Sequence, residues 1–97
     1  MRAYVSGGIS GLSKESVFDA FKQGVEYARS IDGVTDTVNP YSLCVDGWSQ
    51  PQYMSCWIAL IVYSVDVMVM LPHWRNSKGA CEEHALALTL GLPVYYT

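Results

Sequence analysis

Apolar runs alternate with apolar stripes along the chain, and this pattern predicts strands and helices in turn. The segment Arg2–Ser6 is a short apolar run that Gly7-Gly8 stops, as expected for a first strand. The next apolar residues recur at helical spacing and define one face of a helix: Val17, Phe21, Val25 and Ala28. We expect this helix to begin at Ser13 as N-cap, with Leu12 and Val17 packed across it, and to end at Asp32-Gly33.

The rest of the chain repeats the alternation. In order, the pattern predicts a weak strand at Val34–Asn39, a loop at Tyr41–Pro51, a helix at Gln52–Ser64, a strand at Val65–Leu71, a loop at Pro72–Asn76, a helix at Lys78–Leu90 capped by Ser77, and a strand at Val94–Tyr96. The order βαβαβαβ with short connections is typical of an α/β fold. We therefore predict one domain over residues 1–97, a small flavodoxin-like or Rossmann-like three-layer sandwich around a four-stranded parallel sheet.

This topology separates the loops into two sets. In parallel sheets ligands bind beyond the carboxyl ends of the strands. Loops 6–13, 39–51 and 72–77 follow strands and share that edge of the sheet, whereas those around Gly33, Asp66 and Gly91 lie at the opposite edge. Asp66 begins a strand rather than ending one, so we interpret it as a structural cap.

Composition limits the partners. Of the 97 residues, 51% are hydrophobic and 15% charged, and the net charge is −3 without any basic run, which argues against binding of a nucleic-acid polymer. The long apolar stretch from Met54 to Leu71 is interrupted by Asp66, so two buried elements explain it better than a membrane span. Low charge and abundant aromatic residues favour a homo-oligomer.

The cysteines and histidines do not suggest a metal site. Cys44, Cys56 and Cys81 form no CxxC pair and are odd in number, as expected of reduced thiols in a cytoplasmic protein. His84 has no second histidine at ligand spacing, since His73 lies eleven residues away. We expect neither a metal nor another cofactor.

Two segments at the predicted ligand edge could bind an anion. Gly7-Gly8-Ile9-Ser10-Gly11 follows the first strand directly, and its backbone could turn sharply and present N–H groups to a phosphate. It is not GxGxxG and has no Walker lysine, and a tight strand-to-helix turn explains it as well.

The second segment opens the last helix. Ser77 and the first amides of that helix form an anion site by geometry and dipole, and Gly79 in the first turn suggests close approach of a ligand or another backbone. Glu83 shares a helix face with Leu86, Ala87 and Leu90, where its carboxylate could act on a bound molecule. A solvated Glu82/Glu83 pair beside Lys78 is the alternative.

Together these segments resemble a known superfamily. Four segments are similar to the nucleoside 2-deoxyribosyltransferase-like proteins, which include 2′-deoxynucleoside 5′-phosphate N-hydrolases. They are Tyr4-Val5-Ser6-Gly7-Gly8-Ile9-Ser10-Gly11, Asn39-Pro40, Leu71-Pro72-His73-Trp74 and Ser77-Lys78-Gly79-Ala80-x-x-Glu83-x-Ala85. The likeness covers nearly the whole chain, and the Ser–Gly–Glu spacing of the last helix is its most specific part.

The resemblance implies a reaction at an N-glycosidic bond. In such relatives the glutamate that matches Glu83 attacks the anomeric carbon of a 2-deoxyribose and forms a glycosyl-enzyme ester, which water or a second base resolves with retention. The residue that matches Tyr4 orients the glutamate. Residues Gly7–Gly11 with Ser77 and Gly79 would hold a 5′-phosphate, so the expected partner is a small-molecule nucleoside or nucleotide.

One departure keeps two alternatives open. Active relatives commonly carry an aspartate early in the helix before the third strand, where this chain has Trp57. A protein that binds nucleotides without cleaving them is one alternative. An interaction or scaffold protein with a vestigial pocket is the other.

Overall fold

A computed structural model describes residues 1–8, 13–40 and 47–97 of the chain. Within these residues the elements are β1 (Arg2–Ser6), α1 (Lys14–Ser30), β2 (Asp36–Val38), α2 (Gln50–Ser64), β3 (Val67–Met70), a 3-10 turn (Trp74–Asn76), α3 (Lys78–Leu90) and β4 (Val94–Tyr96). The predicted βαβαβαβ order is confirmed.

The described strands form a four-stranded sheet in the order β2-β1-β3-β4, and all three pairings are parallel. Helix α1 packs on one face of the sheet, and α2 and α3 pack side by side on the other. The predicted α/β three-layer sandwich is therefore confirmed. The carboxyl ends of β1 and β3 are neighbours in it, because Ser6 pairs with Met70.

The alternation of side chains along β1 divides the core into two halves. Ala3 and Val5 point toward α1 and pack in one cluster with Phe21 and Val69. Tyr4 points the other way and packs with residues of α2 and α3. Both halves are fully buried at β1, so this strand lies at the centre of the molecule.

Two predicted boundaries move by a few residues for local reasons. Strand β2 is shorter than predicted, because Val34 turns back to bond the carbonyl of Ile31. Helix α2 begins at Gln50 rather than Gln52, since Gln52 Oε1 accepts the backbone N–H of Ser49 at 2.7 Å. Pro51 was predicted to lie in the loop before α2. It lies instead in the first turn of α2, where a proline removes no helical hydrogen bond.

The long apolar stretch consists of two separate elements, as predicted. Helix α2 ends at Ser64, strand β3 begins at Val67, and the exposed Asp66 lies between them. Asp66 Oδ2 accepts the backbone N–H of Arg2 at 2.8 Å, which ties the start of β3 to the start of β1 and confirms its structural role. No helix of the described part of the chain combines the length and apolar character that crossing a membrane requires.

Gly24 permits the close packing of α1 on the sheet. A Cβ atom there would lie 2.5 Å from Leu71 Cδ2 and 2.7 Å from Val5 Cγ1, both closer than atoms normally approach. The periodicity of α1 gave no sign of this requirement, because the helix stripe is defined by its large residues.

We expect Gly24→Ala to destabilise the protein although alanine is the better helix former. Helix propensity favours alanine by about 1 kcal/mol, whereas overpacking a tight core costs about 1–3 kcal/mol. Urea unfolding should give a net loss, and the exposed neighbour change Gln23→Ala should give none. Unfolding of Gly24→Ala at the same or higher urea concentration than the parent would contradict this packing.

Candidate functional site

Strand β1 places two hydroxyl groups on the same side of the sheet. Tyr4 and Ser6 are two residues apart on a strand, so their side chains point to the same face. Both are completely buried. The side of β1 that faces α2 and α3 therefore carries a phenol and an alcohol in otherwise apolar surroundings.

Helix α3 brings a carboxylate to the same place. Ser77 caps the helix by accepting the N–H of Ala80 at 3.3 Å, which fixes where the helix begins. Glu83 then falls on the buried stripe between Ala80 and Ala87 and is only 6% exposed. Glu82 points to solvent. The alternative of two solvated glutamates is therefore wrong for Glu83.

Glu83 is hydrogen-bonded through both of its oxygens. The Tyr4 hydroxyl donates to Oε2, and the Ser6 hydroxyl donates to Oε1 at 2.8 Å. A carboxylate oxygen has two lone pairs, so each oxygen of Glu83 keeps one that these bonds do not use. The arrangement fixes the plane of the carboxylate while leaving it able to accept a further proton or to attack a carbon.

Burial raises the pKa of Glu83 above its ordinary value. The hydrogen bonds from Tyr4 and Ser6 act in the opposite direction because they favour the charged form, and the nearby charge of Glu82 adds to the rise. Burial is the largest of these effects. Glu83 is thus a carboxyl group whose ionised form is less stable than it would be in water, which is common at active sites.

Tyr4 remains a hydrogen-bond donor over the whole ordinary pH range. Its burial, followed by the negative charge of Glu83, raises the pKa of the phenol well above its usual value. The hydroxyl therefore keeps its proton whenever Glu83 is ionised. The prediction that Tyr4 orients Glu83 agrees with this contact.

The two glycine-bearing segments meet at the carboxyl edge of the sheet. A Cβ atom on Gly8 would lie 2.6 Å from Ser77 Cβ, and one on Gly7 would lie 2.8 Å from Leu71 Cδ1. Neither Gly7 nor Gly8 has a positive φ. Glycine is therefore needed here for close approach of β1 to the β3–α3 connection, rather than for an unusual backbone angle.

The first turn of α3 lies at the same carboxyl edge of the sheet, and it is the positive end of the helix dipole. Lys78 and Gly79 follow the Ser77 cap, and there is no acidic residue in this turn. A Cβ atom on Gly79 would lie 3.4 Å from Met54 Sδ, an ordinary contact. Packing within the chain does not by itself require glycine at this position.

Trp57 borders the site from α2. Its ring centroid lies 6.4 Å from that of Tyr4 in an edge-to-face arrangement, and the indole is 9% exposed. An apolar ring thus occupies the position where the resemblance implies an acid. It belongs to the same buried cluster as Tyr4.

A second group of rings is formed around His84 of α3. The ring centroids of Trp74 and His84 are 4.1 Å apart, and His84 Nε2 is 2.7 Å from the Tyr96 hydroxyl. This group joins the 3-10 turn to the end of β4. Within residues 1–8, 13–40 and 47–97, no three His, Cys, Asp or Glu side chains are grouped as metal ligands would be.

Of the predicted site residues, the structure pairs Tyr4 with Glu83 and Gly8 with Ser77, and it places Gly7 and Gly79 at the same edge of the sheet as the second pair. Four residues with predicted roles lie outside the described residues: Ile9, Ser10 and Gly11, predicted to bind phosphate, and Leu12 of the predicted helix start. Ser6 is the member of the site that the sequence interpretation missed. Its signal was the period of two along β1, which puts a polar residue on the side of Tyr4.

The fold and the site define a small α/β protein with one buried glutamate held by a tyrosine and a serine toward the carboxyl edge of a parallel sheet. The chain belongs to the family described as a domain of unknown function (DUF4406), whose model matches residues 1–96. No curated protein and no solved structure matches the chain significantly.

We predict that Glu83→Gln stabilises the folded protein at neutral and higher pH. The raised pKa means that the protonated glutamate fits the site better, so its contribution to stability is complete below the ordinary carboxyl range and is lost as pH rises through the raised value. Glutamine cannot ionise and avoids that loss, which amounts to about 1.4 kcal/mol per pKa unit.

Thermal unfolding across a pH series measures this effect. The melting temperature of Glu83→Gln should exceed that of the parent by a margin that grows with pH. Glu82→Gln, which removes only the smallest of the effects on the Glu83 pKa, should stay close to the parent. A difference in melting temperature that does not grow with pH would contradict the raised pKa of Glu83.

Proposed function

We propose that this protein cleaves or transfers the base of a 2′-deoxynucleoside or its 5′-monophosphate, with Glu83 as the nucleophile. The buried Glu83 carboxylate, bonded to Tyr4 and Ser6 beside the Gly8–Ser77 contact, is the observation that supports this most strongly. The resemblance of these segments to nucleoside 2-deoxyribosyltransferase-like proteins supplies the substrate class.

In the first step a carboxylate oxygen of Glu83 attacks C1′ of the deoxyribose. The bond from C1′ to the base nitrogen breaks, its electron pair leaves with the base, and the base takes a proton from water. Because Glu83 is desolvated, its lone pairs are less masked by water than those of an exposed carboxylate. The charge on Glu83 disappears as the ester forms.

In the second step water attacks C1′ and gives up a proton to solvent, the bond from C1′ to the ester oxygen breaks, and Glu83 returns as a carboxylate, so that two inversions give net retention. When a second base attacks instead, the outcome is transfer. The hydroxyls of Tyr4 and Ser6 are donors aimed at the oxygens on which this charge reappears, and they stabilise the departing carboxylate.

The first turn of α3 and the Gly7-Gly8 segment would hold the 5′-phosphate. Their meeting point is one to two helical turns from Glu83 along α3, at the positive end of the helix dipole. We place this reaction in the cytoplasm, where thiols such as those of Cys56 and Cys81 stay reduced.

The direct test is release of free base. Purified protein is incubated with each of the four deoxynucleoside 5′-monophosphates, and with free deoxynucleosides with and without an acceptor base, and the products are separated by chromatography. At least one substrate should yield free or exchanged base. Glu83→Gln should lower the rate by roughly a thousandfold or more, as loss of a nucleophile does, and Glu82→Gln should retain the rate.

Two other outcomes would replace this proposal. Stabilisation by a nucleotide without release of any base would favour the non-catalytic binding protein, which the burial of Trp57 against Tyr4 motivates. An absence of both turnover and stabilisation by every nucleotide would favour an interaction protein.

Gly79→Ala separates phosphate binding from folding. Alanine should raise the stability of α3 by up to about 1 kcal/mol, because its Cβ meets only an ordinary contact with Met54. Its Cβ should also keep the phosphate from approaching the N–H of residue 79, which should weaken use of the 5′-monophosphate by roughly tenfold, as the loss of one charge-assisted hydrogen bond does.

The free deoxynucleoside is the control substrate, because it has no phosphate to lose contact with. The ratio of kcat/KM for the monophosphate to that for the nucleoside should therefore fall in Gly79→Ala. An equal change for both substrates would show that Gly79 does not approach the phosphate.

A further inference from the structure

His73 occupies a turn position that favours glycine. The backbone N–H of Trp74 donates to the carbonyl of Leu71 at 3.3 Å and closes a β-turn. Pro72 fixes its own φ at about −65°, and His73 follows with a φ of 66° and a ψ of 16°, as in a type II turn. Glycine or asparagine normally holds the third place of such a turn, because a Cβ atom is strained at positive φ. His73 is the only non-glycine residue with a positive φ in the described part of the chain.

The imidazole of His73 does not stabilise the fold in return. The side chain is exposed, and it does not cap the 3-10 turn that it precedes. No hydrogen bond, salt bridge or ring contact joins it to any other residue that the structure describes. An unfavourable backbone angle at a residue that the fold does not use is typical of functional positions.

The connection from β3 to α3 holds His73 beside the Gly7-Gly8 segment. Both ends of this connection approach that segment closely, Leu71 at Gly7 and Ser77 at Gly8. Two residues of chain span at most about 7 Å from Leu71 to His73, and the 3-10 turn before Ser77 rises by only about 2 Å per residue. The imidazole is therefore within reach of an anion held where Gly8 meets Ser77.

The surroundings of His73 in the chain are positive, although the net charge of the protein is −3. No acidic residue occurs between Asp66 and Glu82, whereas Arg75 and Lys78 lie in this stretch. The first turn of α3 adds the positive end of a helix dipole. An imidazole donates one N–H when neutral and two when protonated, so it suits a phosphate oxygen in either form.

We propose that His73 donates a hydrogen bond to the 5′-phosphate of the substrate and makes the site prefer a nucleoside 5′-monophosphate to the free nucleoside. This inference rests on the proposed function for its substrate class. It accounts for a histidine that the turn disfavours and that no described residue binds. The preference then depends on a side chain of the β3–α3 connection as well as on backbone N–H groups.

Binding titrations followed by protein NMR test this role without turnover. Every protein in the series carries Glu83→Gln, so that no base is released during the measurement. The series with His73 should bind at least one deoxynucleoside 5′-monophosphate more tightly than the matching free nucleoside. Adding His73→Gly should weaken binding of that monophosphate roughly tenfold, as the loss of one charge-assisted hydrogen bond does, and should leave binding of the nucleoside unchanged.

Two controls separate contact with the phosphate from other effects. The melting temperature should stay the same or rise in His73→Gly, because glycine adopts a φ of 66° freely. Arg75→Gln removes a full positive charge from the same connection, but its guanidinium carbon lies 5.2 Å from the centre of the Trp74 ring. Because the charge of an exposed side chain is screened, Arg75→Gln should keep the preference for the monophosphate.

Any of four results would overturn the role of His73. They are equal binding of monophosphate and nucleoside in the presence of His73, an unchanged preference in His73→Gly, a loss in Arg75→Gln as large as that in His73→Gly, and a lower melting temperature of His73→Gly. The third would assign the preference to general charge, and the fourth would show that the fold uses the histidine. Base release is not measured here, so the role of His73 and the proposed reaction fail separately.

Discussion

The structure depends on one constraint: a carboxylate taken out of water has to be given hydrogen-bond donors. Glu83 is almost completely buried, and the described residues supply two hydroxyl donors from a strand nearly eighty positions earlier in the chain. This contact joins the first element of the fold to its last helix. It also explains why Tyr4 and Ser6 are polar on a strand that is otherwise part of the core.

Burial of the ionised Glu83 lowers the stability of the fold, and the same burial would favour the proposed reaction. Burial disfavours the ionised glutamate, and the two hydroxyls recover only part of that cost. A carboxylate with this balance gains when its charge is removed by ester formation, and its donors remain in place to receive the charge again. A protein under selection for stability alone would have little reason to keep an acid here.

Trp57 alters the character of the site without disturbing this contact. Its ring packs edge-to-face on Tyr4 and increases the burial of the phenol, whose hydroxyl holds Glu83. An aspartate in the same place would instead add a second negative charge near Glu83. The indole thus favours a drier site with one acid, and the reaction proposed for it uses only that acid.

Much of the fold could be predicted because its signals are local. The apolar run of β1 and the Ser77 cap are read from neighbouring residues, and the structure confirms both. Helical spacing left a solvated Glu82/Glu83 pair open, and only the structure shows that Glu83 is buried. Ser6 was missed because its role exists only through a partner far along the chain. The need for glycine at position 24 was missed for the same reason, since it arises from Leu71 and Val5.

The most direct test of this account is an NMR titration of the Glu83 side-chain carboxyl carbon in the parent and in Tyr4→Phe. We expect a pKa above the ordinary glutamate value in the parent and a still higher one in Tyr4→Phe, because the lost hydroxyl favoured the charged form. A parent pKa at or below the ordinary value, or one that Tyr4→Phe leaves unchanged, would contradict it.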